Sequence, residues 1–210
     1  MPIVVLFYES NGLKMKDIMV LQAVYSIMIV ILEIPSGYLA DVWGRKRTLM
    51  LGAVMGVAGF GMYGFSYGFW GFLVAEIILG IGQSCVSGAD SAMLYDSLME
   101  RNQQKKYSRF EGRISSLGNL AEAAAALLSI ALVTISLRAP YYGQILVAAI
   151  AVPAAFTLRE PARHKRLMNR DFREILDVSK FALVGNKILR RNILFSAFSI
   201  ETIPYSQFLE

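Results

Sequence analysis

Long apolar runs separated by short charged segments constrain this chain more than any other feature. Each run has roughly 20 residues, enough to cross the ~30 Å hydrocarbon core of a bilayer as an α-helix. Of the 210 residues, 55% are hydrophobic and only 18% are charged, whereas a soluble domain carries about a quarter charged residues. The sequence therefore predicts an integral membrane protein of the all-α class.

The apolar runs divide the chain into six segments and the beginning of a seventh. Residues 1–8 are too short to span, which indicates either the last turns of a helix or a short N-terminal tail. The runs of spanning length cover residues 18–40, 49–68, 72–94, 114–137 and 141–158. Another apolar run begins at Ile193 and the sequence stops at Glu210. We expect a transmembrane bundle over residues 1–158 and the incomplete start of a second bundle over residues 192–210.

Lys and Arg residues are distributed unevenly among the loops. The loops after the second, fourth and sixth segments hold three, five and ten of them, whereas the turns between hold only Lys14, Lys16 and Arg138. Cytoplasmic loops carry the excess of Lys and Arg, so we predict that loops 41–49, 97–113 and 159–191 are cytoplasmic. The last loop has apolar residues at helical spacing among its charges, which predicts an amphipathic helix on the membrane surface.

Composition argues against several kinds of chemistry. The net charge of +5 follows from the loop bias, so we expect no nucleic-acid partner. Cys85 is the single cysteine, which excludes an intramolecular disulfide. His164 is the single histidine and lies in a polar loop, so neither a His/Cys metal cluster in the membrane nor histidine-based catalysis is expected. We predict that the protein is not an enzyme and has no metal site or cofactor.

A short cationic turn joins the second and third segments. It reads GYLADVWGRKRT over residues 37–48. Gly37 and Gly44 suit close backbone approach or left-handed geometry. The cations that begin at Arg45 put an ion pair within reach of Asp41. Charge alone predicts only a loop that orients the flanking helices.

The spacing in this turn resembles the G-x-L-a-D-r-x-G-R-[KR] signature between the second and third helices of the major facilitator superfamily of secondary transporters. The matching positions are Gly37, Leu39, Asp41, Gly44, Arg45 and Lys46. The whole pattern of six segments, a basic central loop and a seventh segment is similar to the first half of such a transporter. The resemblance implies a six-helix half-bundle that is truncated in helix 1 and helix 7 and lacks the second half of the same transporter.

The same resemblance implies a gate. Asp96 stands where the family usually has an acid, and Arg113 stands where the family's fifth helix opens with Gly-Arg. Together with Asp41 and Arg45 they are implied to form a charge network, which latches the cytoplasmic side in the outward-facing state.

The fourth segment departs from the family pattern R-x-x-q-G-x-G. Both glycines are kept, at Gly80 and Gly82, but Glu76 replaces the arginine. That arginine is often assigned to proton coupling in the proton-linked members of the family. The resemblance therefore implies that such a role is absent here or has moved to an acid.

Several polar residues inside the apolar runs are candidate proton or substrate sites. They are Glu33, Asp90, Glu76, Glu122 and Gln83. An ionised carboxylate at the bilayer centre costs at least ~2.5–3.5 kcal/mol, so each acid needs a partner, water or a proton. The alternative for each is a structural acid that bonds to a neighbouring helix or lies near the interface. We expect Glu33 and Asp90 to lie deeper, and Glu76 to lie closer to the outer surface.

The function that the resemblance implies is secondary active transport of a small molecule by alternating access. We expect proton-coupled efflux across a bacterial inner membrane, with membrane lipid as the surroundings and protons as the coupling ion. Two alternatives stay open. One is a receptor or assembly factor that kept the fold without transporting, and the other is an enzyme embedded in the membrane.

Overall fold

A computed structural model describes residues 2–161, and this part of the chain is built from α-helices. Helices α1 to α7 are Pro2–Ser10, Met15–Trp43, Arg45–Phe65, Gly68–Ser87, Asp90–Glu100, Tyr107–Val133 and Ala139–Thr157, with a short 3-10 helix at Gln104–Lys106. A bilayer core has no water to satisfy exposed backbone groups, and a helix satisfies its own. The predicted all-α fold is confirmed. The surface helix and the seventh span, which were predicted beyond residue 161, lie outside the described residues.

Five stretches of the described chain are long and apolar enough to cross a membrane. They are Met15–Trp43, Arg45–Phe65, Gly68–Glu100, Gln104–Val133 and Ala139–Thr157. These correspond to the five spanning runs of the sequence, with ends that differ by one to ten residues. The apolar N-terminus forms α1, which at nine residues is too short to span. The chain is an integral membrane protein with multiple spans.

The fourth span differs from the prediction because it consists of two helices, α4 and α5, that meet at Gly88 and Ala89. The break lies where α4 approaches α2. A Cβ atom on Gly88 would lie 3.3 Å from the Cα and N atoms of Gly37. Next to it, the Ser36 hydroxyl donates to the Ser84 carbonyl oxygen over 2.8 Å. The glycine pair lets two backbones touch, and such close crossings are typical of packed membrane helices.

Small residues also set the packing of α3 against α4. A Cβ atom on Gly52 would lie 3.0 Å from the Gly82 carbonyl oxygen, and one on Gly82 would lie 3.2 Å from the Gly52 carbonyl oxygen. Further along α3, Gly64 faces the ring of Tyr142 in α7, where an added Cβ would lie 3.1 Å from the ring. Helix α3 therefore lies between α4 and α7, as a glycine-rich helix can.

The bundle has two ends, which are defined by the helices that meet there. The motif end holds Gly44, where α2 ends and α3 begins, together with the C-terminal ends of α5 and α7. The opposite end, which we call the Arg138 end, holds the ends of α1 and α3 and the starts of α4 and α7. The main buried cluster lies there and comprises Phe7, Tyr8, Leu13, Ile18, Leu21, Tyr63, Phe72, Ala75 and Tyr141. Helix α6, by contrast, has no buried residue.

Candidate functional site

The motif end turns sharply between α2 and α3. Gly44 is the single residue between the two helices, and its φ of 121° and ψ of 138° are values that side-chain-bearing residues rarely adopt. Gly44 is also buried. The turn therefore brings Arg45, the first residue of α3, directly back against the end of α2.

Arg45 connects three helices at this end. Its Nη1 lies 2.6 Å from Asp96 Oδ2 in α5, and its Nη2 lies 3.6 Å from Asp41 Oδ1 in α2. Arg45 Nη1 also donates to the carbonyl oxygen of Ala92. The side chain of Arg45 is 13% exposed, against 24% for Asp96 and 39% for Asp41. We call Asp41, Arg45 and Asp96 the Arg45 latch.

The structure brings together three of the four charges that the family resemblance joined. Arg113 is exposed and forms no ion pair with another described residue. It lies in α6, which packs loosely on the other helices. Gly37 contributes the close crossing with Gly88, and Leu39 is half-buried in α2.

Glu160 joins the motif end without any signal in the sequence. Its Oε1 accepts from the Arg45 backbone N–H over 3.0 Å, and its Oε2 accepts from the Lys46 backbone N–H over 2.9 Å. Lys46 in turn donates through Nζ to the Phe156 carbonyl oxygen over 2.6 Å. Acids favour helix N-termini, but these contacts join residues 110 or more positions apart, and local pattern does not show them.

Glu76 lies in the buried cluster near the other end of the bundle. The Glu76 residue is 4% exposed. Its Oε1 accepts from the Tyr63 hydroxyl over 2.5 Å, the Tyr8 hydroxyl over 2.9 Å and Gln22 Nε2 over 3.3 Å. The Tyr8 and Tyr63 hydroxyl oxygens are themselves 2.5 Å apart. We call Tyr8, Gln22, Tyr63 and Glu76 the Glu76 cluster, which draws on α1, α2, α3 and α4.

Aromatic rings enclose the Glu76 cluster. The Phe72 ring meets the Tyr8 ring edge-on at 5.2 Å, and the Tyr141 ring stacks on the Tyr63 ring at 5.3 Å and 10°. The Tyr141 hydroxyl is buried and has no hydrogen-bond partner among the described residues. Both ion pairs of the described chain belong to Arg45 at the motif end. Glu76 is therefore held by neutral donors inside an apolar wall.

The other candidate residues have a different setting. The side chains of Glu33, Gln83, Asp90 and Glu122 are exposed on this chain. The greater depth of Glu33 and Asp90 in the membrane stays a prediction, and the acid buried inside the bundle is Glu76. It lies about 12 Å along α4 from Gly68, at the helical rise per residue. Within residues 2–161, no group of three His, Cys, Asp or Glu residues is placed to hold a metal ion.

Arg138 closes the end of the bundle above the Glu76 cluster. Its Nη1 donates to the Gly64 carbonyl oxygen over 2.8 Å. Its Nη2 donates to Asn11 Oδ1 over 2.6 Å and to the Ser66 carbonyl oxygen over 3.1 Å. The guanidinium also lies 4.0 Å from the centre of the Tyr67 ring. The sequence offered only a lone cation in a turn, and the structure shows that it ties α1, α3 and α7 together.

Comparison with known proteins agrees with this architecture. The family model described as Major Facilitator Superfamily matches residues 1–209. An uncharacterized transporter from Buchnera aphidicola subsp. Acyrthosiphon pisum (strain APS) is 33% identical over 82 residues. That alignment covers 39% of this chain and 20% of the relative's length.

Proposed function

We propose, from the premise that the chain belongs to the Major Facilitator Superfamily of membrane transporters, that it takes part in the proton-coupled export of a small molecule by alternating access. The observation that carries the proposal is the arrangement of oxygens around Glu76. Glu76 is the acid that binds and releases the proton. The Arg45 latch is the contact that opens and closes during the cycle.

A count of protons supports this role for Glu76. Three oxygens, from Tyr8, Tyr63 and Glu76, form a triangle with sides of 2.5, 2.9 and 2.5 Å. Each side needs one shared proton, and each phenol supplies only one. The third proton is present when the Glu76 carboxyl group is itself protonated, because Oε1 then donates to one phenol, that phenol donates to the other, and the second phenol donates back to Oε1. The triangle is thus complete with a neutral acid, whereas an ionised Glu76 leaves one oxygen pair without a proton between them.

The surroundings explain why such a proton is exchanged rather than permanent. Ionising an acid inside this apolar wall, with no cation beside it, costs about 2.5–3.5 kcal/mol or more, which is the penalty for inserting a charged residue into a membrane. Water that enters when the Arg138 end opens removes that penalty and lets the proton leave or arrive. Glu76 therefore responds to which side of the membrane the bundle faces.

The predicted topology supplies the orientation on which the proposed export rests. Lys and Arg are in excess in the loops over residues 41–49, 97–113 and 159–191, so we propose that these loops are cytoplasmic and that the motif end, which contains the first of them, faces the cytoplasm. The Arg138 end then faces outward, where a bacterial inner membrane meets the more acidic compartment. Glu76 lies near that end and would take up an outside proton as cargo leaves, with the second half of the transporter supplying the facing wall of the path.

Transport in proteoliposomes tests the proposal. The intact protein is reconstituted with a pH-sensitive dye inside, a pH gradient is imposed, and candidate small molecules are screened for movement coupled to proton flux. We expect coupled exchange for the wild type. Glu76→Gln cannot exchange a proton, so it should lose gradient-driven transport by about 100-fold, within the range that a proton-transferring group supplies, while exchange without a gradient persists.

Glu9→Gln is the matched control because Glu9 is an exposed acid on α1, next to the cluster but outside it. It should behave as the wild type does. A Glu76→Gln protein that still accumulates substrate against a gradient would remove Glu76 from the coupling step. No coupled flux in the wild type for any compound tested would instead favour a receptor or assembly role for this fold.

A further inference from the structure

The N-terminus of α3 lacks a cap from its own chain neighbourhood. The residue before the helix is Gly44, which has no side chain to offer and makes no side-chain capping bond. The first backbone N–H groups of a helix have no partner within the helix. At the start of α3 these groups include those of Arg45 and Lys46, which are residues of the motif itself.

Glu160 supplies the missing cap from a distant part of the chain. Its two carboxylate oxygens accept separately from the Arg45 and Lys46 backbone N–H groups, over 3.0 and 2.9 Å. A carboxylate at this position also faces the positive end of the helix dipole. The carboxylate therefore satisfies two backbone donors and the local charge at once.

A second bond runs the opposite way, from the start of α3 to the end of α7, which lies three residues before Glu160. The Lys46 ammonium group donates to the Phe156 carbonyl oxygen, in the last turn of α7, over 2.6 Å. Cations are favoured at helix C-termini for the same reason that anions are favoured at N-termini. Glu160 thus binds the start of α3, and Lys46 binds the end of α7. Together they hold the two helix ends against each other.

Arg45 takes part both in this contact between α3 and the end of α7 and in the Arg45 latch. Its backbone N–H binds Glu160, and its guanidinium binds Asp96 and Ala92. Because Arg45 is the first residue of α3, loss of the cap frays the turn that aims its side chain. We propose that Glu160 is a positioning residue of the latch, which makes the sixth span and the start of the loop behind it part of the gate. This inference rests on the proposed gating role.

The test measures how well Arg45 covers the start of α5, and it does not depend on transport. In a Cys85→Ala background, Ala92→Cys introduces one thiol beside the carbonyl that Arg45 binds. Labelling of that thiol by a membrane-impermeant maleimide is followed in inside-out vesicles that contain the intact protein. Glu160→Ala should raise the labelling rate about fivefold, which is the effect of losing a typical helix N-cap. Asp96→Asn should raise it as well.

The double variant separates positioning from a merely structural role. If Glu160 acts through Arg45, its removal should add less than about twofold once Asp96→Asn has already freed the guanidinium, because coupled residues are not additive. Glu160→Asp keeps the charge on a shorter side chain and should lie between wild type and Glu160→Ala. Glu100→Gln, an exposed acid in the last turn of α5, is the control and should leave the rate unchanged.

Two outcomes overturn the inference. One is an unchanged labelling rate in Glu160→Ala, and the other is full multiplication of the two effects in the double variant. Glu160→Gln preserves side-chain volume. It replaces Glu160→Ala in the same labelling experiment if the alanine variant does not accumulate. A non-additive labelling result in a protein that drives no proton-coupled flux would keep the positioning role and reject the proposed transport mode.

Discussion

The two ends of the bundle hold polar side chains in opposite ways. At the motif end, Arg45 pairs with the acids Asp41 and Asp96, whose side chains are 39% and 24% exposed. In the Glu76 cluster, a 4% exposed acid is bonded to uncharged tyrosine and glutamine side chains. One end stabilises charge with charge, and the other holds an acid that has no cationic partner among residues 2–161.

The physical surroundings explain this difference. An exposed ion pair such as Asp41–Arg45 is worth about 0–1 kcal/mol, and the partly buried Asp96–Arg45 pair is the stronger of the two, so the Arg45 latch rests on few contacts that can open and reform. A charge inside the apolar wall around Glu76 has no such screening by water, and its described partners are neutral donors. These surroundings support the proposed roles of the Arg45 latch as a reversible contact and of Glu76 as the proton-binding acid.

After the loss of about 100-fold expected for Glu76→Gln, the next largest effect should come from Arg45→Ala. The substitution leaves Asp41 and Asp96 without their cation and the Ala92 carbonyl without a donor. Because hydrogen bonds to charged groups contribute about 1.5–3 kcal/mol, we expect transport turnover to fall by roughly 30-fold with membrane insertion preserved. Initial rates in proteoliposomes, normalised to protein abundance, measure this.

Arg45→Lys is the informative companion to that variant. Lysine keeps the charge but not the planar fork that reaches two carboxylates and a carbonyl together. It should recover only part of the activity. Full recovery would mean that the charge alone matters and that the three-way geometry seen here does not.

Two tyrosines in one stack provide the next test. Tyr63→Phe removes a hydroxyl that contacts both Glu76 and Tyr8, so the free energy of unfolding should fall by about 2 kcal/mol, the cost of breaking a buried bond to an acid. Tyr141→Phe removes a buried hydroxyl that has no partner among the described residues. It should leave stability unchanged or raise it by up to about 1 kcal/mol. Unfolding in detergent by SDS titration measures both.

The pair of variants is its own control because the two rings lie in parallel contact and differ mainly in what their hydroxyls bind. Equal destabilisation by both substitutions would contradict the hydrogen-bonded triangle around Glu76. It would also weaken the contrast between the two ends, since Glu76 would then be merely packed.

A smaller effect is expected at Arg138, which fixes the Arg138 end. Arg138→Ala removes the bonds to Gly64, Asn11 and Ser66, and we expect an apparent loss of about 1.5 kcal/mol in the same titration. Arg138→Lys should recover less than half of it, because one ammonium group cannot take the same three acceptors. Lys16→Ala, at an exposed cation near the start of α2, is the comparison and should stay within about 0.5 kcal/mol of wild type.

The smallest effect should be that of Asp41→Asn. Asp41 lies 3.6 Å from Arg45 and is the more exposed of its two acids, whereas Asp96 lies at 2.6 Å. We expect about a twofold loss of turnover for Asp41→Asn and about tenfold for Asp96→Asn, in line with weak exposed and stronger partly buried pairs. Parallel transport rates decide the order. A larger loss for Asp41→Asn would show that Asp41 acts through a contact other than its ion pair.

Much of this protein could be predicted from its sequence because the bilayer imposes simple rules. An apolar run of spanning length forms a helix in a bilayer, and Lys and Arg mark the cytoplasmic loops. The five spans could therefore be predicted from the apolar runs, and the family resemblance from the spacing of the motif. The motif residues Asp41 and Arg45 lie four positions apart on either side of one turn. Their contact is local, so the spacing of the motif is enough to predict it.

What the tertiary structure alone decided is which polar groups face one another. Glu33 and Glu76 are both acids in apolar runs, yet one is exposed and the other buried, because helix rotation is set by packing partners and not by the run itself. The donors to Glu76 come from residues up to 68 positions away, and the cap on Arg45 comes from 115 positions away. The sequence determined the helices and the turn between α2 and α3; only their packing selected Glu76 as the buried acid and Glu160 as the partner of the motif.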